Sequence, residues 1–135
     1  MQRTNRQLVQ GFFDGVSAGE LPEELLTDDV KVWITTGGNI GKARYQSSIR
    51  VLARICARPL AFTIDSITEQ DDRVIAEAHS EGTLINGEDY GNTYVLVFRV
   101  RDGRIASIAE HYNAVTVQEK LLPLMAKLRE SEMSK

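Results

Sequence analysis

The fold is decided by residues 73–113, RVIAEAHSEGTLINGEDYGNTYVLVFRVRDGRIASIAEHYN. This stretch contains two dipeptides, Asn86-Gly87 and Asp102-Gly103, that supply the positive φ angles required in tight hairpin turns. Strand-like runs flank the dipeptides, at residues 74–85, 90–101 and 104–112. The stretch therefore predicts three long antiparallel strands in a row. We expect them to curl around a small-molecule pocket.

The residues on either side of this stretch predict mainly helices. A helical spacing of apolar residues lies between Thr4, a suitable cap, and Gly19, a suitable stop. The other predicted elements are a short helix after Pro22, a strand at 30–35, a helix at 45–56 ending before Pro59, a strand at 60–67 and a C-terminal helix at 117–128 interrupted at Pro123. This order predicts an α+β domain with its helices on one side of a mostly antiparallel sheet.

Length and composition exclude several classes of protein. A chain of 135 residues is expected to form one domain, residues 1–135, whose core needs no metal or disulfide. The net charge of −3, with mixed signs, does not favour nucleic acid. No apolar run approaches the length of a membrane span, and residues 1–10 do not resemble a signal peptide. The lone Cys56 cannot form an internal disulfide, which predicts a cytoplasmic protein.

Pairing the strands through two-residue turns predicts which side chains share a face. Tyr94 then lies opposite both His79 and His111, because side chains on one face recur at every second residue. The neighbouring row on that face consists of Glu81, Asn92 and Asn113, and Glu77 continues it. The face is polar at one end and apolar at the other, a composition typical of a ligand pocket.

The register of the first hairpin has an alternative. A three- or five-residue loop at Asn86, or a bulge at Gly82 or Gly91, would turn the first strand over. Two sets of residues would then exchange faces: Ala76, Ala78 and Ser80 would enter the pocket, and Glu77, His79 and Glu81 would leave it. The sequence leaves both registers open.

The terminal strands resemble a known family. The resemblance is carried by Gly87, Tyr90, Asn92, Tyr94, Val97-Phe98, Asp102-Gly103-Arg104-Ile105 and Glu110-His111-Tyr112-Asn113. This pattern looks like the end of a SnoaL-like domain, in the nuclear transport factor 2-like (ketosteroid isomerase-like) superfamily, and helix order and length extend the likeness to nearly the whole chain. The resemblance implies a cone: a strongly curved sheet, closed by N-terminal helices around a deep pocket, in a homodimer formed through the outer sheet face.

The chain lacks the catalytic acids of the better-known enzymes in the superfamily at the positions that resemble theirs. The positions that resemble the two catalytic acids of ketosteroid isomerases lie within Val32–Ile34 and near Val95 or Leu96. This chain has no acid at either of them. Limonene epoxide hydrolases use an arginine and two aspartates. The positions that resemble them hold Ala78, Ser80 and Asn113 here, so that set of residues is missing. SnoaL-type cyclases also place their acid/base aspartate at the position of Asn113. An asparagine hydrogen-bonds a carbonyl or a water but does not exchange a proton at useful pH.

The histidines are the remaining candidates for acid–base catalysis. His111 and His79 titrate near neutrality, and Tyr94 between them would orient a water or a carbonyl. Scytalone dehydratase, another superfamily member, is similar in using two pocket histidines with tyrosines. The predicted ligand-binding residues are Asn113, Asn92, Trp33, Tyr45, Phe12 and Glu77. Glu110 is predicted on the opposite face, in an interface ion pair, and no motif predicts a metal or another cofactor.

Two functions are consistent with these residues. The first is a cofactor-independent isomerase, cyclase or dehydratase that transfers a proton on a small hydrophobic carbonyl or cyclic substrate. The second is a module that binds such a ligand, or a protein partner, without catalysis. The resemblance implies a polyketide-, terpenoid- or steroid-like molecule. The outer sheet face, predicted to include Thr93, Val95, Val97 and Ile108, is too apolar to be left in water and predicts a homodimer.

Overall fold

The computed structural model describes residues 3–133. The helices are α1 (Asn5–Ala18), α2 (Lys42–Ile55), α3 (Ala114–Thr116) and α4 (Leu122–Met133), with a 3₁₀ turn at Glu23–Leu25 and a π-helical turn at Val117–Leu121. The strands are β1 (Leu26–Ile34), β2 (Gly38–Ile40), β3 (Ala61–Gln70), β4 (Arg73–Thr83), β5 (Asp89–Arg101) and β6 (Arg104–Tyr112). The predicted α+β class is confirmed. Among the strands of the described chain, only the short β2 was not predicted, because three residues show no periodicity.

The six strands form one curved sheet in the order β2-β1-β6-β5-β4-β3. Neighbouring strands are antiparallel except β1 and β6, which are parallel. The helices cover one face of the sheet, where Phe12 of α1 packs edge-on against Phe98 of β5 with ring centroids 5.1 Å apart. We call this covered face the inner face and the opposite one the outer face.

The termini of α1 follow the sequence signals. The Thr4 hydroxyl accepts a hydrogen bond from the Gln7 backbone N–H, and the Gln7 side chain accepts one from the Thr4 N–H, which completes a capping box. Gly19 ends the helix at φ 89°, a left-handed conformation that glycine adopts without the steric cost of a Cβ. The predicted cap and stop are therefore both confirmed.

The first hairpin has the three-residue loop rather than the two-residue turn. The Leu84 N–H donates to the Glu88 carbonyl at 2.8 Å, which leaves residues 85–87 in the loop, with Gly87 at φ 87°. An odd loop shifts the pairing by one residue, so Tyr94 lies opposite Ala78. The alternative register is therefore correct. Ala76, Ala78 and Ser80 are buried on the inner face, whereas Glu77, His79 and Glu81 lie on the outer face.

The second hairpin begins as predicted, but its register then changes. Asp102 and Gly103 form the two-residue turn, with φ angles of 53° and 75°, and Arg101 pairs with Arg104. Three residues later β6 contains an extra residue, Ala106, because Val100 pairs with Ile105 whereas Arg99 pairs with Ser107.

This bulge reverses the faces of the remaining residues of β6. Tyr94 pairs with Tyr112 rather than with His111, so the predicted register is wrong by one residue. Ile108, Glu110 and Tyr112 consequently lie on the inner face, and His111 lies on the outer face. The predicted placement of Glu110 and Ile108 on the outer face is wrong for the same reason.

The C-terminal helical segment is longer than the sequence predicts. A nearly continuous helical path runs from Ala114 to Met133, and the predicted interruption at Pro123 corresponds to the π-helical turn just before it. An ion pair between Arg54 of α2 and Glu132 of α4 holds the end of this segment against the domain. No helix within residues 3–133 is long and apolar enough to cross a membrane.

Candidate functional site

A cavity of about 320 Å³ lies between the inner face and the helices. Its walls are mainly apolar and include Phe12, Phe13, Leu52, Phe62, Leu96 and Met125. The C-terminal segment contributes part of the wall, so residues from both ends of the chain enclose the space. The volume is within the range of small-molecule sites, at its lower end.

Glu110 is the one acidic side chain among the described residues that line the cavity. Its carboxylate accepts a hydrogen bond of 2.6 Å from the Tyr45 hydroxyl of α2. Burial raises the pKa of Glu110 from its ordinary value of 4.5 to about 7, although the Tyr45 hydrogen bond opposes part of this effect. A carboxyl group with this pKa is present in both protonation states near neutral pH, as a general acid–base catalyst requires.

Two half-buried phenol groups add further polar atoms to the cavity wall. The Tyr94 and Ser80 hydroxyls are 2.8 Å apart, and the Tyr112 and Thr36 hydroxyls are 2.5 Å apart. Burial raises the pKa values of Tyr94 and Tyr112, so both phenols remain protonated at neutral pH. A protonated phenol donates a hydrogen bond to a carbonyl or an enolate oxygen.

The predicted site residues fall into separate parts of the structure. Tyr94, Tyr45 and Phe12 line the cavity. Asn92 is buried behind the wall, where its Oδ1 accepts from the backbone N–H groups of Thr93 and Asn113 at 2.8 and 2.9 Å. Asn113 caps α3 instead of lining the cavity.

The histidine pair lies outside the cavity, contrary to the predicted placement. His111 is exposed on the outer face because the Ala106 bulge reverses this part of β6. His79 is on the outer face because of the three-residue hairpin loop. Its Nδ1 lies 2.9 Å from an Asp65 carboxylate oxygen, and this hydrogen bond raises the pKa of the imidazole. Neither imidazole can reach a molecule in the cavity.

Trp33 and Glu77, two predicted ligand-binding residues, also lie on the outer face. Trp33 packs against His111, with ring centroids 4.9 Å apart, because β1 pairs with β6 beyond the bulge. The Glu77 carboxylate accepts a hydrogen bond of 2.8 Å from the Ser66 hydroxyl. Neither side chain lines the cavity.

Glu110 and Tyr112 are the functional candidates that strict alternation along β6 did not predict. One signal in the sequence indicates the bulge. Ile105 and Ile108 are both large aliphatic residues, but they are three positions apart, and a regular strand cannot bury both on one face. Both are fully buried in the structure, because Ala106 is the extra residue between them.

A second, more open depression of about 490 Å³ on the outer face brings Glu77, His111 and Asn113 together, but its acidic side chains, which include Asp65, and its histidine are exposed to solvent. Cys56 is a free, buried cysteine, and burial raises the pKa of its thiol, which disfavours the reactive thiolate. Within residues 3–133, no three His, Cys, Asp or Glu side chains converge in a way that could hold a metal ion. The cavity around Glu110 is therefore the candidate site.

The architecture is that of nuclear transport factor 2-like proteins, and solved structures show the same fold. An NTF2-like protein from Anabaena variabilis is 25% identical, with 80% of this chain and 85% of that chain covered and a TM-score of 0.72. IdmH, a putative polyketide cyclase from Streptomyces antibioticus, is 19% identical, with coverage of 88% and 99% and a TM-score of 0.74. TerC, co-crystallised with polyporic acid, is 18% identical, with coverage of 85% and 95% and a TM-score of 0.69.

Within this class, the sequence identifies the family. The SnoaL-like domain model matches residues 9–108, which span α1 to the middle of β6. The chain therefore belongs to the SnoaL-like domain family, and the resemblance seen in the sequence is confirmed. No curated protein matches the chain.

Proposed function

We propose that the protein is a cofactor-independent enzyme that moves a proton on a small hydrophobic carbonyl or cyclic substrate, as an isomerase, cyclase or dehydratase does. The observation that carries the proposal is the placement of Glu110. Its carboxyl group lines an otherwise mainly apolar cavity, and its pKa is raised to about 7 by burial. Raised carboxyl pKa values in concave sites are typical of acid–base catalysts.

The cavity contains the groups that an enolisation needs. In the proposed reaction, the Glu110 carboxylate removes a proton from the carbon next to a substrate carbonyl. The electron pair of the broken C–H bond forms a C=C bond, and the π pair of the carbonyl moves to its oxygen. There the phenols of Tyr94 and Tyr112 donate hydrogen bonds to the developing charge. The protonated Glu110 then returns the proton to carbon. Tyr45 positions the carboxyl group throughout through its 2.6 Å hydrogen bond.

The shape and polarity of the cavity suggest the substrate class. A volume of about 320 Å³ with several aromatic walls suits a compact cyclic or aromatic molecule. Structural neighbours support a polyketide-like molecule, since IdmH is described as a putative polyketide cyclase and TerC was crystallised with polyporic acid. We therefore propose a cyclic, polyketide-like ketone as the substrate.

Deuterium exchange tests the proton transfer without knowledge of the natural substrate. The protein is expected to accelerate exchange of the α-hydrogens of 2-tetralone in D₂O, with a rate that rises as Glu110 ionises through its pKa of about 7. Glu110→Gln should slow the enzymatic exchange by about tenfold or more, because the amide cannot accept the proton. Exchange is followed by NMR after subtraction of the buffer rate.

The control for this experiment is Glu119→Gln, which removes an exposed carboxyl group of the π-helical turn and should leave the exchange rate unchanged. Equal exchange rates for the Glu110→Gln variant and the native protein would contradict a catalytic role for Glu110.

A non-catalytic binding module is the second candidate. The position that resembles the acid/base aspartate of SnoaL-type cyclases holds Asn113. Its side chain accepts hydrogen bonds from the N–H groups of Val115 and Thr116 at 3.1 and 3.3 Å, as a helix cap. Binding of 2-tetralone without accelerated exchange would favour this function over the enzymatic one.

We also propose that the protein is a homodimer formed through the outer face. Val95 at the centre of this face is 42% exposed, and Val97 and the stacked Trp33 and His111 extend an uncovered, partly apolar surface around it. The helices lie against the inner face and cannot cover this surface. A second copy is the simplest cover, because two-fold symmetric dimers are the commonest oligomers.

Substitution of Val95 by aspartate is expected to convert the dimer to a monomer, because the symmetry places two added charges in one interface. Sedimentation equilibrium measures the mass directly. Ile85→Asp is the matched control, since Ile85 is also exposed, at 55%, but lies in the β4–β5 loop away from the outer face. Dimers that persist in the Val95 variant, or a native protein that is monomeric, would contradict the proposed interface.

The cysteine supports a proposal on the compartment. Cys56 has no disulfide partner in the described chain, and free buried thiols are typical of reducing environments. We propose that the protein functions in the cytoplasm.

A further inference from the structure

The mouth of the cavity is cationic. Four of the residues that line the cavity are exposed to solvent and therefore mark its opening: Gly37, Arg44, Leu122 and Arg129. Two of the four are arginines, and they come from different helices, α2 and α4. The one acidic lining residue, Glu110, is much less exposed than they are. The distribution of charge therefore gives the cavity a positive entrance.

Within residues 3–133, neither arginine is held in an ion pair. Among the ion pairs of the described residues, Lys42 and Arg54 of α2 are paired with Glu23 and Glu132, whereas none involves Arg44 or Arg129. A positive entrance is also unexpected for a chain whose net charge is −3. Such local fields attract ligands of the opposite sign.

We propose that the substrate carries a carboxylate, which Arg44 and Arg129 bind at the mouth while the apolar body fills the cavity. The guanidinium group presents a planar set of donors that matches a carboxylate. Ser48, one helical turn after Arg44, also lines the cavity and provides a hydroxyl donor beside it. This inference deepens the proposed function and rests on it, and it narrows the substrate class to a hydrophobic carboxylic acid whose reacting carbon lies away from its charged end.

A matched pair of fluorescent probes tests the anion preference. The anionic probe is 8-anilinonaphthalene-1-sulfonate, and the neutral probe is N-phenyl-1-naphthylamine, which has the same aromatic body without the sulfonate. The native protein is expected to bind the anionic probe more tightly than the neutral one at low ionic strength. The Arg44→Gln/Arg129→Gln variant should weaken binding of the anionic probe by about tenfold, and change binding of the neutral probe by less than about twofold.

Arg50→Gln is the control, because Arg50 is an exposed arginine of α2 that does not line the cavity. It should leave the affinities for both probes unchanged. Added salt should reduce the preference of the native protein for the anionic probe, since the arginines are exposed.

The inference would be overturned by a native protein without anion preference, or by a preference that survives in the double variant or is equally lost in Arg50→Gln. It would also be overturned by a native protein that binds neither probe. Failure of the proposed function has a different signature: the Glu110→Gln variant would exchange 2-tetralone as fast as the native protein, while the arginine-dependent anion preference remained.

Discussion

Glu110→Gln is expected to remove a loss of stability of about 2–3 kcal/mol that the native protein undergoes between pH 5 and pH 8. The unfolded carboxyl group ionises near its ordinary pKa of 4.5, whereas the native group ionises near 7 because it is buried. Between these values the native state binds more protons than the unfolded state. Raising the pH therefore favours unfolding of the native protein, and the neutral glutamine has no such effect.

Urea denaturation of both proteins at pH 5, 6, 7 and 8 measures this difference. His79 also contributes to the pH dependence, because Asp65 raises its pKa, but this contribution is the same in both proteins and cancels in the comparison. Glu119→Gln, which removes an exposed carboxyl group, should follow the native curve. Parallel curves for the native protein and the Glu110→Gln variant would show that Glu110 has an ordinary pKa and would remove the basis of the proposed catalysis.

Ile108→Ala is expected to lower the free energy of unfolding by about 2–5 kcal/mol. Ile108 is 2% exposed and lies in the core on the inner face, so the substitution removes buried methyl and methylene groups and leaves a void. Within one protomer, His111→Ala, three residues later, should cost only about 0.5 kcal/mol, because that side chain is exposed on the outer face and its removal leaves no void in the core. Urea denaturation measures both values, at one protein concentration since the proposed dimer would couple stability to concentration.

This pair of substitutions tests the bulge at Ala106. In a regular β6 without an extra residue, His111 would be inside and Ile108 outside, and the costs of the two substitutions would be reversed. A large loss for His111→Ala with a small one for Ile108→Ala would therefore reject the observed register, and with it the placement of Glu110 in the cavity.

The order of the elements and the fold class follow from local signals in the sequence. Thr4 and Gly19 bound α1, and Asp102-Gly103 forms the predicted two-residue turn, because these residues act through their own dihedral angles and nearest hydrogen bonds. The inward face of β5, which includes Tyr94 and Phe98, is also readable from the sequence, because that strand is regular throughout.

The faces of β4 and β6 depend on information that no local pattern carries reliably. One residue more in the Asn86 hairpin loop and one extra residue in β6 each reverse a strand, since side chains alternate with a period of two. These single-residue shifts place His79 and His111 outside and bring Glu110 into the cavity. The Glu110–Tyr45 contact, which joins residues 65 positions apart, forms only when α2 packs over the sheet. Local chemistry thus specified the main helices and strands and the Asp102-Gly103 turn, whereas long-range packing selected the carboxyl group that the cavity encloses.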